Sequence, residues 1–166
     1  MALYKSKTDD GKCIFCEIIK GNLDTPGIFW ENKDFMAFLS GFPSTDGNTV
    51  VVSKKHYDSD VLNMPNKVLS DFILASKKVS KILMKHYKDV GRVGLIIEGT
   101  GINHAHIKLI PMHGTEYMKK GVWKQYLSGK PKFLKKYMGY LSSNDGPKGD
   151  SKKLKLLAQK LKKIKL

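Results

Sequence analysis

The sequence predicts an α+β domain in which an antiparallel sheet carries one long packed helix, followed by a basic helical C-terminal extension. Three observations predict it. Short β-branched or aromatic runs, separated by turn residues, occupy residues 28–53 and again 93–110. One stretch between them, 67–87, has its apolar residues at helical spacing. Charge then changes abruptly: residues 1–111 hold 15 basic and 12 acidic residues, whereas 112–166 hold 15 lysines against 3 acidic residues. At 166 residues the chain is long enough for one core without staples.

CIFCEIIKG (13–21) reads as a loop entering one helical turn, and Asn22 to Gly27 as a turn punctuated by Pro26 and Gly27. IFWE (28–31) begins the first strand, Asn32 and Lys33 turn the chain, and DFMAFL (34–39) returns. GFPSTDGN (41–48) is a loop, and the β-branched run TVVVS (49–53) a buried central strand. From Lys67 to Tyr87, Val68, Leu69, Phe72, Ile73, Val79, Ile82 and Leu83 fall on one side of a helix. Lys77, Lys78, Lys81 and Lys85 fall on the other. VGLIIE (93–98) is a further strand, EGTGINH a tight turn, and HAHIKLI (104–110) the last strand, stopped by Pro111. Aromatics among lysines and glycines fill 112–150. From Ser151 onward Leu154, Leu157, Leu161 and Ile164 recur at helical spacing, with Asp150 or Ser151 as the cap.

No apolar run approaches the twenty or so residues of a membrane span. The opening MALYKSKTDDGKC lacks the apolar core of a secretory signal, so the expected location is the cytoplasm. The net charge of +15 should attract polyanions, whether nucleic acid, nucleotide phosphates or an anionic membrane. A generally lysine-rich composition accounts for the tail equally well, because lysines without arginine or aromatic readout carry little specificity. Cys13 and Cys16 lie three apart, a spacing that in an unsecreted chain suggests metal or redox chemistry rather than a structural disulfide. They supply half of a tetrahedral zinc site; a pair of packed thiols is the plain alternative.

The segment GINHAHIKLIP (101–111) carries the chemistry. On a strand, His104, His106 and Lys108 project to one face and Ala105, Ile107 and Leu109 to the other. Two imidazoles and an ammonium are costly to bury unpartnered, so their face should be wet or filled by a ligand. Imidazole attacks phosphorus near neutral pH when its second nitrogen is held by a hydrogen bond. Cations or backbone donors must steady the phosphoryl oxygens. The residues therefore point to phosphoryl or nucleotidyl transfer through a histidine. The glycines of EGTG, Gly101 included, let backbone amides approach a phosphate, though a hairpin connection needs them as much; Asn103 is placed to bond the turn. His113, just past the strand, is a loop histidine or a helper near the pocket.

The chain resembles the histidine triad (HIT) superfamily. The motif there is His-x-His-x-His followed by two apolar residues and often Pro, against HAHIKLIP here. The order CIFCEIIKG, DFMAFL, GNTVVVSKKH, helix, histidine strand matches from about Cys13 to Met112. The resemblance implies three parts: an N-terminal segment 1–12, a HIT-like domain 13–112 and a lysine-rich extension 113–166. It implies an α+β nucleotide-binding fold, often a homodimer, with His106 as nucleophile. It also implies hydrolysis or transfer of nucleoside monophosphate groups from phosphoramidates or dinucleoside polyphosphates.

Three positions depart from the pattern. Lys108 replaces the third histidine; it can contact a phosphate but not relay a proton as a neutral imidazole does. The related galactose-1-phosphate uridylyltransferases have Gln there and still work through the middle histidine. Asn48 stands where many members have His before the Val-rich strand, and Ser40 where many have an Asp for the ribose hydroxyls. Ser40, Asn48, Gly101, Asn103 and Lys108 are the candidate substrate contacts, and His106 with Lys108 the candidate catalytic pair. By resemblance to the uridylyltransferase branch, Cys13 and Cys16 join His56 and His104 around a structural Zn2+. The competing function is a nucleotide- or polyanion-binding module with little turnover.

Overall fold

The computed structural model describes residues 7, 8, 10–25, 27–123, 141, 149–152, 156, 157 and 161. The aromatic run 124–140 and most of the lysine-rich tail lie outside the described residues, as does Pro26. The chain divides into two compact units, Met1–Trp123 and Lys124–Leu166. In the second, Ser151 and Lys152 have helical backbone, and Lys152 N donates to Asp150 Oδ1 at 2.8 Å. Asp150 is thus the cap that the sequence suggested.

The first unit is a five-stranded antiparallel sheet. Its strands are β1 (Ile28–Glu31), β2 (Phe35–Leu39), β3 (Thr49–Ser53), β4 (Val93–Ile96) and β5 (His106–Pro111). They lie in the order β1-β2-β3-β5-β4, so the histidine strand is internal. Asn32 sets the first hairpin, its Oδ1 accepting from the backbone N–H groups of Asp34 and Phe35 at 2.9 and 2.7 Å. β3 pairs with β5 so that Val52 lies opposite His106 and Val50 opposite Lys108. Val50, Val52, His106 and Lys108 therefore share one face, and Val51, Ile107 and Leu109 the other.

The second face is the main core. Helix α2 (Asn66–His86) lays Phe72, Ala75, Val79 and Leu83 on Phe35, Ala37, Val51, Ile107 and Leu109. Phe72 stacks on Phe35 with ring centroids 4.9 Å apart. Ile73 and Ile82, expected in this stripe, are instead exposed. At about 100° per residue they sit roughly a quarter turn from the Phe72–Val79–Leu83 line, and small residues, Ala75 and Ser76, take their place.

The first face is covered by helix α1 (Ile14–Ile19), where a loop and a single turn were expected. Phe15 and Ile18 pack on Met36, Phe38 and Val52. Of the two expectations for the histidine face, open to water or filled by a ligand, the first does not hold for the histidines. His104 and His106 are buried because their strand neighbours on that face are valines and α1 lies over them. The ladder begins at His106 rather than His104, whose N–H turns back to Ile102 O at 2.8 Å. It also runs through Pro111, which pairs with Val93 at the end of β4, where a missing N–H is tolerated.

The chain stays attached beyond β5. Gly91 N donates to Thr115 Oγ1 at 3.0 Å, and a Cβ on Gly91 would lie 2.0 Å from Thr115 O. Only glycine lets the 3-10 turn Glu116–Lys120 approach so closely. No helix among the described residues is long and apolar enough to cross a membrane.

Candidate active site and metal centre

Cys13 caps α1 and Cys16 lies one turn on, so both thiols face the same way. They meet His104, ahead of β5, and His56, just past β3. Cys16 Sγ lies 3.3 Å from His56 Nδ1 and 3.5 Å from His104 Nδ1, and Cys13 Sγ lies 3.5 Å from the same His104 nitrogen. One ligand atom from each of the four residues falls within a 4.8 Å cluster. Tetrahedral zinc, with bonds of about 2.0–2.3 Å, needs S···N edges of roughly 3.6 Å. The spacing fits.

The protonation states fit as well. His104 Nε2–H donates to Ser53 O at 2.7 Å, leaving Nδ1 as the basic nitrogen aimed at the sulfurs. Burial, foremost, holds the His104 imidazole below its usual pKa, which keeps it neutral and able to ligate. Burial and the adjoining Cys13 push the Cys16 thiol up to about 11. Cys16 therefore stays a thiol unless a cation takes the place of its proton. These four residues could hold a metal ion.

Beside this cluster a pocket of about 310 Å³ opens between α1 and the sheet. Ile14, Phe15 and Ile18 of α1, with Phe38 and Phe42, make its apolar wall, and His106, Lys108 and Ser40 its polar side. His106 Nδ1–H donates to His104 O at 2.7 Å. A carbonyl only accepts, so Nδ1 carries the proton and Nε2 is the free base. The ring edge also meets Phe15, 5.5 Å between centroids. Burial, before any charge, lowers the His106 pKa, which favours the neutral ring. Lys108 Nζ lies 2.7 Å from Glu98 Oε2.

No family model matches the chain. An uncharacterized HIT-like protein of Methanocaldococcus jannaschii is 36% identical over 105 residues, covering 61% of this chain and 79% of the relative. The chain belongs to the HIT family. The adenosine 5'-monophosphoramidase of Saccharomyces cerevisiae is 29% identical over 104 residues, 63% of this HIT protein and 65% of the enzyme. Among solved structures, a histidine triad protein from Clostridium difficile is 25% identical with a TM-score of 0.52, covering 64% of this chain and 93% of its own. A HIT-family protein from Bacillus subtilis, 21% identical, superposes with a TM-score of 0.60 over 93% of this chain and 98% of its own, which shows the shared fold.

Of the motif positions, His106 and Lys108 line the pocket together with Ser40, whereas His104 turns into the cluster with Cys13, Cys16 and His56; Ser40 Oγ accepts from Phe42 N at 3.1 Å. The remaining expected substrate contacts do not reach this pocket. Asn48 lies in a neighbouring hollow formed by residues 39–48, where its Nδ2 donates to Ser44 Oγ at 3.0 Å. Asn103 is spent on the scaffold: its Oδ1 accepts from Ser59 N at 2.9 Å and its Nδ2 donates to Asp58 Oδ1 at 3.2 Å. Gly101 supplies a positive-φ turn, and its neighbours Thr100 and Ile102 line the pocket instead. His113 is tied to Asp89 Oδ2 at 2.9 Å and Asp46 O at 3.1 Å, a structural link between loops. Sequence reasoning missed Glu98 and the apolar wall. The wall had a signal: Ile14, Phe15 and Ile18 sit at helical spacing around Cys16. Glu98 had none.

Proposed function

We propose that this HIT-family protein is a nucleotide hydrolase or nucleotidyltransferase, acting on phosphoramidate or dinucleoside polyphosphate-type substrates through a covalent His106–nucleotide intermediate. The observation that carries this reading is the His106 Nδ1–H bond to His104 O, which leaves Nε2 as a nucleophile at the pocket beside a lysine. The name of the yeast relative, a monophosphoramidase, supports the substrate class. In this reading the apolar wall of α1 and Phe38 holds the nucleoside. Ser40 meets the sugar, with one hydroxyl where a carboxylate would take both ribose hydroxyls. His106 Nε2 attacks phosphorus, the leaving group departs, and water or another acceptor releases the nucleotide. Lys108 steadies the phosphoryl oxygens as charge develops.

Cys13, Cys16, His56 and His104 would hold Zn2+ as a structural ion. When bound it supplies a cross-link between α1 and the sheet. His104, fixed at both ring nitrogens, then presents its carbonyl to His106. We assign residues 13–112 to catalysis and take the unit to work as a homodimer; for the lysine-rich 113–166 burial of its regularly spaced leucines is the first reading and contact with polyanions the second.

The test is an intact-mass measurement after mixing with nucleoside phosphoramidates and dinucleoside polyphosphates and quenching in base. An added nucleoside monophosphate that disappears in His106→Ala, with the fold intact, is expected. No adduct and no turnover would refute the enzyme reading in favour of a binding module.

A further inference from the structure

Helix α2 turns a charged side to solvent. Between Asp71 and Asp89 the chain has five lysines, Lys77, Lys78, Lys81, Lys85 and Lys88, and no acidic residue. All five are exposed, and none forms an ion pair among the described residues. The four within the helix fall on an arc of about 100°, roughly opposite the Phe72–Val79–Leu83 line that packs on the sheet. Lys77, Lys81 and Lys85 succeed one another at single-turn steps, a stripe of charge about 12 Å long. Only Lys85 lies in the last turn, where a cation serves the helix dipole. Like charges one turn apart repel, so the stripe weakens the helix slightly and gives the fold nothing in return.

Lysines alone carry little selectivity. The structure adds what they lack. Lys119, in the 3-10 turn Glu116–Lys120, donates from Nζ to Lys88 O at 3.1 Å and so brings the end of the first unit against the end of the stripe. Four residues past Lys88 stands Arg92, the chain's single arginine. Its guanidinium carbon lies 4.7 Å from the centroid of the Trp123 ring. Both side chains are exposed, and Trp123 keeps 63% of its surface open to water. Arg92 takes one face of the indole, a cation–π contact that steadies the ring and leaves a flat apolar platform.

We propose that this surface binds a single nucleic-acid strand, the lysine stripe following the phosphates while a base stacks on Trp123. It lies across the sheet from the His106 pocket, because α1 and α2 cover opposite faces, and it needs nothing from the transfer chemistry. An anionic membrane fits less well. A helix lying on lipid inserts its apolar face, and that of α2 is already packed on the sheet. A duplex fits less well too, since its bases are stacked on one another and none is free for the indole.

The experiment titrates a labelled RNA strand of mixed sequence with the full chain at several salt concentrations and reads anisotropy. The variants are the triple Lys81→Gln, Lys85→Gln, Lys88→Gln and the single Trp123→Ala. Each phosphate contact on a single strand adds about 0.7 to the slope of log K against log salt. Removing three should therefore flatten the slope by about 2, whatever the lysine-rich tail contributes. The lost side chains are exposed, and Gln matches Lys as a helix former, so the fold should hold. Trp123→Ala should weaken binding about tenfold or more at unchanged slope, and Trp123→Phe, which keeps a ring, should retain most of the affinity. RNA should quench indole emission in the unsubstituted protein and leave it unchanged in Trp123→Phe, where Trp30 alone emits. An unchanged slope in the triple variant would move the binding to the tail and overturn the proposal. So would full affinity in Trp123→Ala, a duplex that competes as well as the single strand, or phosphatidylserine vesicles that displace the RNA through the same lysines. Absence of RNA binding at low salt overturns it as well, and leaves the His106 reading untouched.

Discussion

The two faces of the sheet are built on different principles. On one, α2 spans 21 residues and presses a continuous apolar stripe onto Phe35, Val51 and Ile107. On the other, α1 has six residues, about a turn and a half, too few to be stable alone. It is kept in place by a small cluster around Phe15 and Ile18 and by whatever joins Cys13 and Cys16 to His56 and His104. The long helix stabilises the domain and touches no chemistry. The short one forms the pocket wall and, with its cap Cys13, brings two cysteines to the Cys/His cluster that could hold a metal ion. Stability and function are thus separable on the α2 face and tied together on the α1 face.

That contrast can be broken at several points. The largest effect is expected from Phe72→Ala, which removes a fully buried ring stacked on Phe35. It should cost about 3–5 kcal/mol in denaturant unfolding, while nucleotide affinity per folded molecule stays unchanged. Lost affinity in the folded fraction would show that α2 also shapes the site.

Next comes Cys16→Ser, or chelation of the unsubstituted protein. Metal content is expected to fall from about one zinc per chain to near none, the four-ligand site having lost a member. Nucleotide affinity should drop about tenfold, roughly 1.4 kcal/mol, as Ile14, Phe15 and Ile18 loosen. Metal analysis by mass spectrometry and calorimetric titration with a nucleotide read the two effects. Metal lost with affinity intact would dissolve the coupling argued for the α1 face.

The smallest effect concerns His113, in the loop after β5. Asp46 O, first, and the Asp89 carboxylate raise its pKa above the usual value, while Tyr87 packs edge-on against the ring. A raised folded pKa contributes stability that is complete below the unfolded value of about 6.5 and fades as pH climbs through the folded one. Asp89, held low by His113 first, contributes above its own unfolded value. The Tm difference between unsubstituted protein and His113→Gln should therefore be larger at pH 5.5 than at pH 8.5. An equal difference at both pH values would mean that the hydrogen bonds, not the charge, hold the loops.

How much of this was legible in the sequence follows the same division. β1, β3 and α2 announce themselves within one or two residues, because a β-branched run or a 3.6-residue stripe is a local signal. α1 does not, since six residues carry no period. What covers His104 and His106 was left open for a related reason: alternation tells which side chains share a face, not what lies on it, and Phe15 is about ninety positions away in the chain. Cys13 and Cys16 were visible as half a ligand set, but His56 and His104 entered only through the family resemblance. Glu98 was invisible because its meeting with Lys108 depends on the register of β4 against β5, Ile96 facing Lys108, which no local pattern encodes.

His104 and His106 use opposite nitrogens against the backbone: Nε2–H to Ser53 O in one, Nδ1–H to His104 O in the other. Both acceptors are main-chain carbonyls. Proton placement on each ring is thus inherited from the trace of the chain, and no exchange of a neighbouring side chain deletes it. Such wiring is mutationally robust. It leaves the surrounding positions free to drift, Lys108 among them, with the identity of the unprotonated nitrogen preserved throughout.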